Sequence, residues 1–373
     1  MDALTSQDAF EQWHDWRWQM RNRIDTLDGL RRWITPTDTE KTGIAACGRT
    51  MRWSITPYYA SLMDPENTDC PIRMMAVPRN AEFVHGNEGH QDPVGDRTYL
   101  KTRRIIHKYP DRVVFLVSDS CPVYCRYCTR KYHTIARDST YFKTDAPMDL
   151  EADFAYIRDN PEINDVLLTG GDPLSLSTGR LDAILGTLKQ ISSVGLVRIG
   201  TRYPVLLPAR FDDELMTVLA KHAPLYLSTH FNHPAEITPE AVTVLRKLQA
   251  AGVALLNQSV LLKGVNDDAE VLKTLCRRLV SVGVTPYYLY HCDNVAGLTH
   301  FITTIERGRA LMAQLSGHVT GFATPRYIIV TTIGKIPIDG DHVTMTEDGI
   351  IVRNYKGETL RVTCSALVHE RSV

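Results

Sequence analysis

The chain is predicted to fold as an α/β protein built on a parallel sheet that helices cover. Between residues 112 and 316, nearly continuous apolar runs alternate with amphipathic segments. Continuous apolar strands are typical of a parallel sheet buried on both faces, and the intervening helices provide the crossovers that parallel strands need. The predicted strands are 112–118, 165–169, 196–201, 225–229, 253–260 and 285–290. The predicted helices are 149–159, 177–190, 211–221, 238–251, 267–282 and 303–315.

Three further stretches, two before the alternating region and one after it, complete the predicted organisation. Residues 8–35 are rich in Trp and Arg and have the pattern of an amphipathic helix with a basic outer face. Residues 65–100 are rich in Pro, Gly, Asn and Asp, which predicts irregular wrapping. The tail carries short alternating runs between turns, which predicts a small β-rich addition. We therefore expect three parts, 1–105, 106–316 and 317–373.

Composition narrows the function classes. The formal net charge is −1, with 42 basic and 43 acidic residues, so there is no electrostatic argument for binding nucleic acid or an acidic membrane surface. No apolar run approaches the length of a membrane span, and the N-terminus lacks the regions of a signal peptide. We expect a cytoplasmic protein whose eight cysteines are thiols and metal ligands rather than disulfides.

Three of those cysteines form a motif. Cys121, Cys125 and Cys128 have C-x3-C-x2-C spacing, directly after the apolar run 113–117. Three thiolates from one loop can hold three irons of a cubane cluster and leave the fourth iron open, whereas a complete electron-transfer cluster has four cysteine ligands. An open iron is a position where a small molecule can bind and react. The alternative is zinc, which prefers four tetrahedral ligands.

Three further features are candidates with two interpretations each. Gly170, Gly171 and Asp172 follow the second predicted strand, where glycines allow either close approach to a ligand or a simple tight turn. Lys335 lies in an apolar run, as a strand-edge lysine or as a buried amine that can form a Schiff base. His230 is either a core histidine or a site residue.

Several stretches together resemble the lysine 2,3-aminomutase family of radical S-adenosylmethionine (SAM) enzymes. They are Ser120–Tyr132, Trp13–Ile24, Trp53–Tyr59, Gly334–Pro337 and Ile351–Gly357. The resemblance extends from about Phe10 to Leu360. It implies a partial (βα)6 radical SAM barrel, in which chemistry gathers at the carboxyl ends of the strands. It also implies an isomerase with three cofactors: a 4Fe–4S cluster, SAM and pyridoxal 5′-phosphate.

The resemblance also implies roles for individual residues. For SAM it implies that Gly170, Gly171 and Asp172 hold the amino group, with His230, Gln258 and Tyr127 nearby. For pyridoxal phosphate it implies an internal aldimine with Lys335, phosphate binding by Lys108, Tyr109 and Arg112, and ring stacking by Tyr290. Lys108 stands where the family has an arginine, which keeps the charge but loses a bidentate donor.

The substrate residues implied by the resemblance are Arg130 and Asp293. Arg130 matches the arginine that binds the α-carboxylate, and Asp293 matches one of two aspartates that hold the side-chain ammonium of lysine. The second aspartate is replaced near Val330. The implied activity is a 1,2-amino migration, through an aldimine and a 5′-deoxyadenosyl radical, that converts a free basic amino acid, lysine or arginine, to its β-isomer.

The alternatives are a mutase that acts on a lysine of a partner protein and a zinc-stabilised binding module without catalysis. The resemblance further implies an electron donor such as flavodoxin or ferredoxin, and a homo-oligomer. The sequence leaves open the substrate, the product stereochemistry and the pathway.

Overall fold

Nine strands form one sheet in which the strand order follows the chain. The computed structural model describes residues 7–84, 89–137, 149–338 and 340–369. The nine strands are β1 (Ile105–Tyr109), β2 (Arg112–Ser118), β3 (Asp165–Gly170), β4 (Leu196–Gly200), β5 (Leu225–Thr229), β6 (Val253–Leu261), β7 (Thr285–His291), β8 (Arg326–Thr331) and β9 (Gly334–Pro337). Strands β2 to β8 pair in parallel, whereas β1 and β9 pair antiparallel at the two edges.

Fourteen α-helices occur in the described residues. They are α1 (Gln7–His14), α2 (Trp16–Arg21), α3 (Leu27–Leu30), α4 (Asp38–Thr50), α5 (Pro57–Ala60), α6 (Pro71–Ala76), α7 (Ala81–Val84), α8 (Glu151–Asp159), α9 (Thr178–Gln190), α10 (Tyr203–Leu206), α11 (Asp213–Lys221), α12 (Pro239–Ala250), α13 (Ala269–Ser281) and α14 (Ile305–Leu315). Helices α8, α9, α11, α12, α13 and α14 follow β2 to β7 in turn. The predicted α/β fold with a six-unit, barrel-like parallel sheet is confirmed.

The barrel helices form where local sequence favours them. The side chains of Ser177, Asp212, Thr238, Asp268 and Thr304 cap the first turns of α9, α11, α12, α13 and α14. Helix α9 buries Leu181, Ile184, Leu185 and Leu188, the i, i+3, i+4, i+7 face that packs on a sheet. The main core therefore lies between the outside of the sheet and its helices.

Side chains of β1 bridge the two edges of the sheet. The Tyr109 hydroxyl accepts a hydrogen bond from the backbone N–H of Lys335 on β9 at 2.8 Å. The ammonium of Lys108 donates to the carbonyls of Val94, at 2.7 Å, and of Thr331 at the end of β8. Consecutive residues of β1 thus close the seam of the barrel without a backbone ladder.

The N-terminal region differs from its prediction. The single amphipathic helix expected over residues 8–35 is wrong, because the chain forms the short helices α1, α2 and α3. Asp15 caps α2 and Thr26 caps α3, so each side chain restarts the helix, and Ile24 between them pairs with Ile55 in an antiparallel bridge. Trp16 donates to Asp212 at 3.1 Å, which fastens this region to the barrel. Residues 65–100, expected to be irregular, contain α6 and α7.

The tail has two roles in the fold. Its first strands, β8 and β9, continue the barrel sheet. A separate antiparallel sheet follows, formed by β10 (Val343–Met345), β11 (Gly349–Arg353) and β12 (Thr359–Thr363). Arg309 of α14 donates to the carbonyls of Ile338 and Val343 and joins this sheet to the barrel. Within the described parts of the chain, no helix is both long and apolar enough to cross a membrane.

Candidate active site

A cavity of about 460 Å³ lies inside the barrel and brings together most of the predicted site residues. Its lining includes Lys108, Tyr109, Arg112, Tyr127, Arg130, His230, Gln258, Tyr290, Asp293, Val330 and Lys335. The predicted residues outside its lining are Cys121, Cys125, Cys128, Gly170, Gly171 and Asp172. The volume is ordinary for a small-molecule or cofactor site.

The cysteine motif forms a loop that starts after β2. Its three thiols are free and partly exposed. Burial raises the pKa of Cys121 and raises that of Cys128 to about 11, so a bound metal is needed to favour their thiolates. Among described residues, no three His, Cys, Asp or Glu side chains converge on one ion position. A cubane does not require such convergence, because each cysteine binds a different iron.

Arg202 lies just after β4 and contacts the cysteine loop, although no motif in the sequence predicts this role. One of its Nη atoms donates to the Cys125 sulfur at 3.1 Å, and its Nε donates to the His230 carbonyl at 3.0 Å. The buried Glu236 carboxylate pairs with the same guanidinium. Arg202 therefore holds the central cysteine next to the cavity wall. The only sequence signal was its position after a predicted strand.

The two glycines at the end of β3, Gly170 and Gly171, are required by the packing of the cysteine loop. Gly170 has φ = +128°, and a Cβ there would lie 2.3 Å from the Ser118 carbonyl oxygen. A Cβ on Gly171 would lie 2.5 Å from the Ser120 carbonyl oxygen. The backbone approached here is that of the loop, and any contact of these glycines with SAM stays a prediction.

Asp172 is similarly occupied by protein partners. Its carboxylate accepts hydrogen bonds from Thr201 Oγ1 at 2.7 Å, Arg202 N at 2.8 Å and Leu174 N at 3.1 Å. Burial nevertheless raises the pKa of Asp172 to about 6. The residue therefore ties the ends of β3 and β4 together, and its role toward SAM also stays a prediction.

His230 and Tyr127 line the cavity on the side of the cysteine loop. Burial and the neighbouring Arg202 lower the pKa of His230 to about 4, so its ring is neutral near pH 7. Tyr127 accepts a hydrogen bond from Asn232 Nδ2 at 2.6 Å, and the Arg202 guanidinium lies 5.4 Å from its ring centroid. Arg202 therefore already covers one face of the Tyr127 ring, which the resemblance implies lies near SAM.

Lys335 projects from β9 into an aromatic part of the cavity. Its amine donates to the Tyr290 hydroxyl at 3.0 Å and lies 4.7 Å from the Tyr288 ring centroid. Tyr290 in turn donates to Gln258 Oε1 at 3.1 Å. Burial, with repulsion from Arg198 and other cations, lowers the pKa of Lys335 to about 7. A neutral amine is the nucleophile that a carbonyl cofactor needs, so this part of the site fits pyridoxal phosphate.

The predicted phosphate-binding residues have different surroundings. The Arg112 guanidinium lies 3.9 Å from the Tyr109 ring centroid and pairs with Asp111 at 2.7 Å. Burial lowers the pKa of Lys108 to about 8. Its ammonium already donates to the Val94 and Thr331 carbonyls, so it is partly committed to the barrel seam. The roles of Lys108, Tyr109 and Arg112 toward a phosphate therefore stay predictions.

Arg130 and Asp293 lie near each other in the cavity. Thr129, next to Arg130, donates its hydroxyl to Asp293 Oδ2 at 2.6 Å. Asp293 Oδ1 is buried without a hydrogen-bond partner among the described residues, and burial raises the Asp293 pKa to about 6. Val330 lines the same cavity, as expected for a lost carboxylate. The orphaned oxygen is an acceptor that a bound cation would satisfy.

Comparison with known proteins finds relatives over most of the chain. The Radical SAM superfamily model matches residues 115–275. The chain is 42% identical over 349 residues to the L-lysine 2,3-aminomutase of Clostridium subterminale, covering 92% of this chain and 83% of that protein. It is 40% identical over 351 residues to the L-lysine 2,3-aminomutase of Bacillus subtilis strain 168, covering 93% and 74%. It is 39% identical over 355 residues to the glutamate 2,3-aminomutase of Clostridioides difficile strain 630, covering 94% and 83%.

These relatives are aminomutases, and aminomutases are isomerases, so the alternative of a zinc-stabilised module without catalysis is wrong. The residues present fit the cofactors of such enzymes: three free thiols on one loop and a lysine amine of lowered pKa beside the rings of Tyr288 and Tyr290. The chain is an isomerase that uses a 4Fe–4S cluster, SAM and pyridoxal phosphate, and it belongs to the lysine 2,3-aminomutase family.

Proposed function

We propose that this chain is a 2,3-aminomutase for a free basic α-amino acid, lysine or arginine, and converts it to the β-isomer. The observation that carries the proposal is the buried, unpartnered Oδ1 of Asp293 in the cavity that Lys335 and Arg130 also line. A cation on the substrate side chain would satisfy this oxygen. It would also keep Asp293 ionised despite its raised pKa.

The bound cofactors supply a carbon radical, from SAM and the cluster, and a conjugated carbonyl group, from pyridoxal phosphate. The chain's own share is positioning. Because the pKa of Lys335 is about 7, its amine is largely neutral at pH values above 7. Tyr290 fixes that amine at 3.0 Å and is itself fixed by Gln258. Lys335, Tyr290 and Gln258 therefore form a series of hydrogen bonds that fixes the orientation of the amine where the pyridoxal cofactor would attach.

Arg130 and Asp293 would hold the two ends of the substrate. The guanidinium of Arg130 suits a planar α-carboxylate, because it can donate two parallel hydrogen bonds. Asp293 would accept from the far end of the side chain. Holding both ends places the α- and β-carbons at fixed distances from the cofactors, and positioning of this kind contributes several kcal/mol to a rate.

Sequence identity to the relatives does not distinguish a basic from an acidic side chain on the substrate. A relative named glutamate 2,3-aminomutase is about as similar to this chain as those named L-lysine 2,3-aminomutase. The proposal of a basic side chain rests instead on the Asp293 carboxylate in the cavity. An acidic side chain would face the Asp293 carboxylate and be repelled, whereas an ammonium or guanidinium would be attracted. With Val330 at the second family position, arginine is as good a candidate as lysine.

The test is an anaerobic assay of reconstituted enzyme with SAM, a reductant and single amino acids: lysine, arginine, ornithine and glutamate. Products are identified by mass spectrometry against β-amino acid standards. We expect β-lysine or β-arginine. Turnover of glutamate alone would contradict the role of Asp293. SAM cleavage with no amino acid product would contradict a free substrate and direct the search to lysines of partner proteins.

Two variants sharpen the assay. Lys335→Ala should lose the absorbance of protein-attached pyridoxal phosphate together with product, because no other amine is fixed at that point. Asp293→Asn should retain the cofactor absorbance and lose affinity for the basic substrate. We further propose that the enzyme works as a homo-oligomer and receives electrons from a flavodoxin or ferredoxin, as the family resemblance implies. A cytoplasmic location, expected from the sequence, is likewise a proposal.

A further inference from the structure

The segment Asp92–Arg97 forms a wall of the active-site cavity, although its composition predicts only irregular wrapping. Val94 and Asp96 both line the cavity. The Asp96 side chain is only 10% exposed, although it carries a carboxylate and lies outside every helix and strand. Buried carboxylates away from regular structure are uncommon unless something holds them. This residue has no part in the site derived above.

The backbone of this segment is tightly held. The Asp92 carboxylate accepts from the backbone N–H groups of Asp96 and Arg97, each at 2.9 Å. Gly95 has φ = +73° and packs closely against Thr332. A Cβ added to Gly95 would lie 3.2 Å from the Thr332 methyl group. Lys108 fastens the Val94 carbonyl to the barrel seam at 2.7 Å. Asp96 is therefore presented to the cavity from a fixed turn.

The partner of Asp96 is the arginine proposed to bind the substrate carboxylate. Asp96 Oδ2 accepts from Arg130 Nε at 2.7 Å, a short, charge-assisted hydrogen bond. The Arg130 side chain is 25% exposed and lines the same cavity. A contact at Nε engages one edge of the guanidinium. The end-on pair, Nη1 and Nη2, is then the pair presented to a planar carboxylate.

We propose that Asp96 is a positioning residue that orients Arg130 for the α-carboxylate of the substrate. This inference rests on the proposed function, because it takes Arg130 as the carboxylate-binding residue. A long, flexible arginine loses rotamer freedom when it binds a ligand. A partner that already fixes the guanidinium reduces this loss, so the carboxylate binds with greater affinity and in a defined orientation.

The hydrogen bond, rather than the negative charge, is the proposed cause. An asparagine at position 96 can still accept from Nε through its amide oxygen, whereas an alanine cannot. Removing the charge also removes a repulsion between Asp96 and the substrate carboxylate. The asparagine and alanine variants therefore separate orientation from charge, and the conservative variant should rescue binding.

The experiment measures how strongly the protein distinguishes a carboxylate from a carboxamide. Dissociation constants for L-lysine and L-lysinamide, and for L-arginine and L-argininamide, are determined by calorimetry on anaerobic protein loaded with its cofactors and without reductant. The acid-to-amide ratio isolates the carboxylate contact. In the parent protein we expect the acid to bind at least about tenfold more tightly.

Asp96→Ala should reduce that ratio by about tenfold, while Asp96→Asn should keep it within about threefold of the parent. Arg130→Lys, which keeps the charge but loses the planar fork, should reduce the preference for the acid. Asp182→Asn removes a carboxylate that pairs with Lys221 and His222 away from the cavity, and should leave the ratio unchanged. Unfolding midpoints of all variants are recorded beside the parent's.

An unchanged ratio in Asp96→Ala would overturn the proposal. Loss of the ratio in Asp96→Asn to the same extent as in Asp96→Ala would also overturn it, because the charge would then be the cause. A parent protein that binds acid and amide equally would instead refute the role of Arg130, and with it the proposed function. Failure of the Asp96 proposal would therefore appear in the Asp96 variants, whereas failure of the proposed function would appear in the parent protein.

Discussion

Replacing Lys335 by methionine should stabilise the cofactor-free protein in a pH-dependent manner. The pKa of Lys335 falls from its ordinary value of 10.5 to about 7 in the fold, chiefly because the ammonium is buried. The native state therefore binds fewer protons than the unfolded chain between these two pH values, and stability rises with pH across that window. Below about pH 7 the full cost of the buried charge is present.

The magnitude follows from the two pKa values. A difference of about 3.5, from 10.5 to about 7, corresponds to about 5 kcal/mol at 1.36 kcal/mol per unit. Near pH 6.5 most of this cost remains, and near pH 9.5 only about 1.5 kcal/mol remains. Because water reaches part of the Lys335 side chain, we expect a stabilisation by Lys335→Met that is about 1–3 kcal/mol larger at pH 6.5 than at pH 9.5.

The assay is chemical unfolding of cofactor-free protein under reducing, anaerobic conditions at both pH values. Each variant is compared with the parent, so that titrations common to both proteins cancel. Lys247→Met, on the exposed face of α12, serves as the control for exchanging an ammonium for a thioether. A stabilisation by Lys335→Met that is the same at both pH values would show that the amine is not held in its neutral form.

Four other changes have defined outcomes. Asp293→Asn should raise the KM for the basic substrate about 10–100-fold by removing a charged acceptor, and an unchanged KM would exclude Asp293 from the pocket. In the parent, substrate affinity should fall as pH drops below about 6, where Asp293 becomes protonated and neutral; a binding titration flat from pH 5 to 8 would contradict this. Cys125→Ala should abolish SAM cleavage, followed by chromatography of 5′-deoxyadenosine, and retained cleavage would refute the cluster ligand. Gly171→Ala should destabilise the cysteine loop by about 1–3 kcal/mol, because its Cβ would lie 2.5 Å from the Ser120 carbonyl oxygen. Iron content and unfolding midpoint measure this effect, and normal values for both would show that the loop can move aside.

The barrel could be predicted closely from the sequence because its signals are local. The strand over residues 112–118 is predicted and observed with the same bounds, and the strand over 225–229 likewise. Long apolar runs and helix caps lie within a few residues of the elements they define. The expected helix over residues 8–35 failed for a local reason too, since Asp15 and Thr26 are capping residues inside an amphipathic pattern.

The site was predicted unevenly. The residues with a family motif, such as Lys335, Tyr290 and Asp293, line one cavity as the resemblance implied. Asp96 was missed because a single aspartate in a polar stretch gives no periodic or motif signal. The resemblance links the glycines at the end of β3 to a ligand, whereas their close neighbour in the structure is the cysteine loop. Neighbours of this kind depend on how separate loops meet, which composition does not report.

Sequence suffices for the order and type of the barrel elements, for the three-cysteine loop and for the lysine that marks the family, because each is encoded within a short window. Only the folded chain shows which side chains share the cavity and what each already contacts. Tyr109 and Lys335 are 226 residues apart and meet only when the sheet curls on itself. Closure of the barrel also buries the Lys335 amine and the Asp293 carboxylate, and desolvation then changes the pKa values on which their chemistry depends.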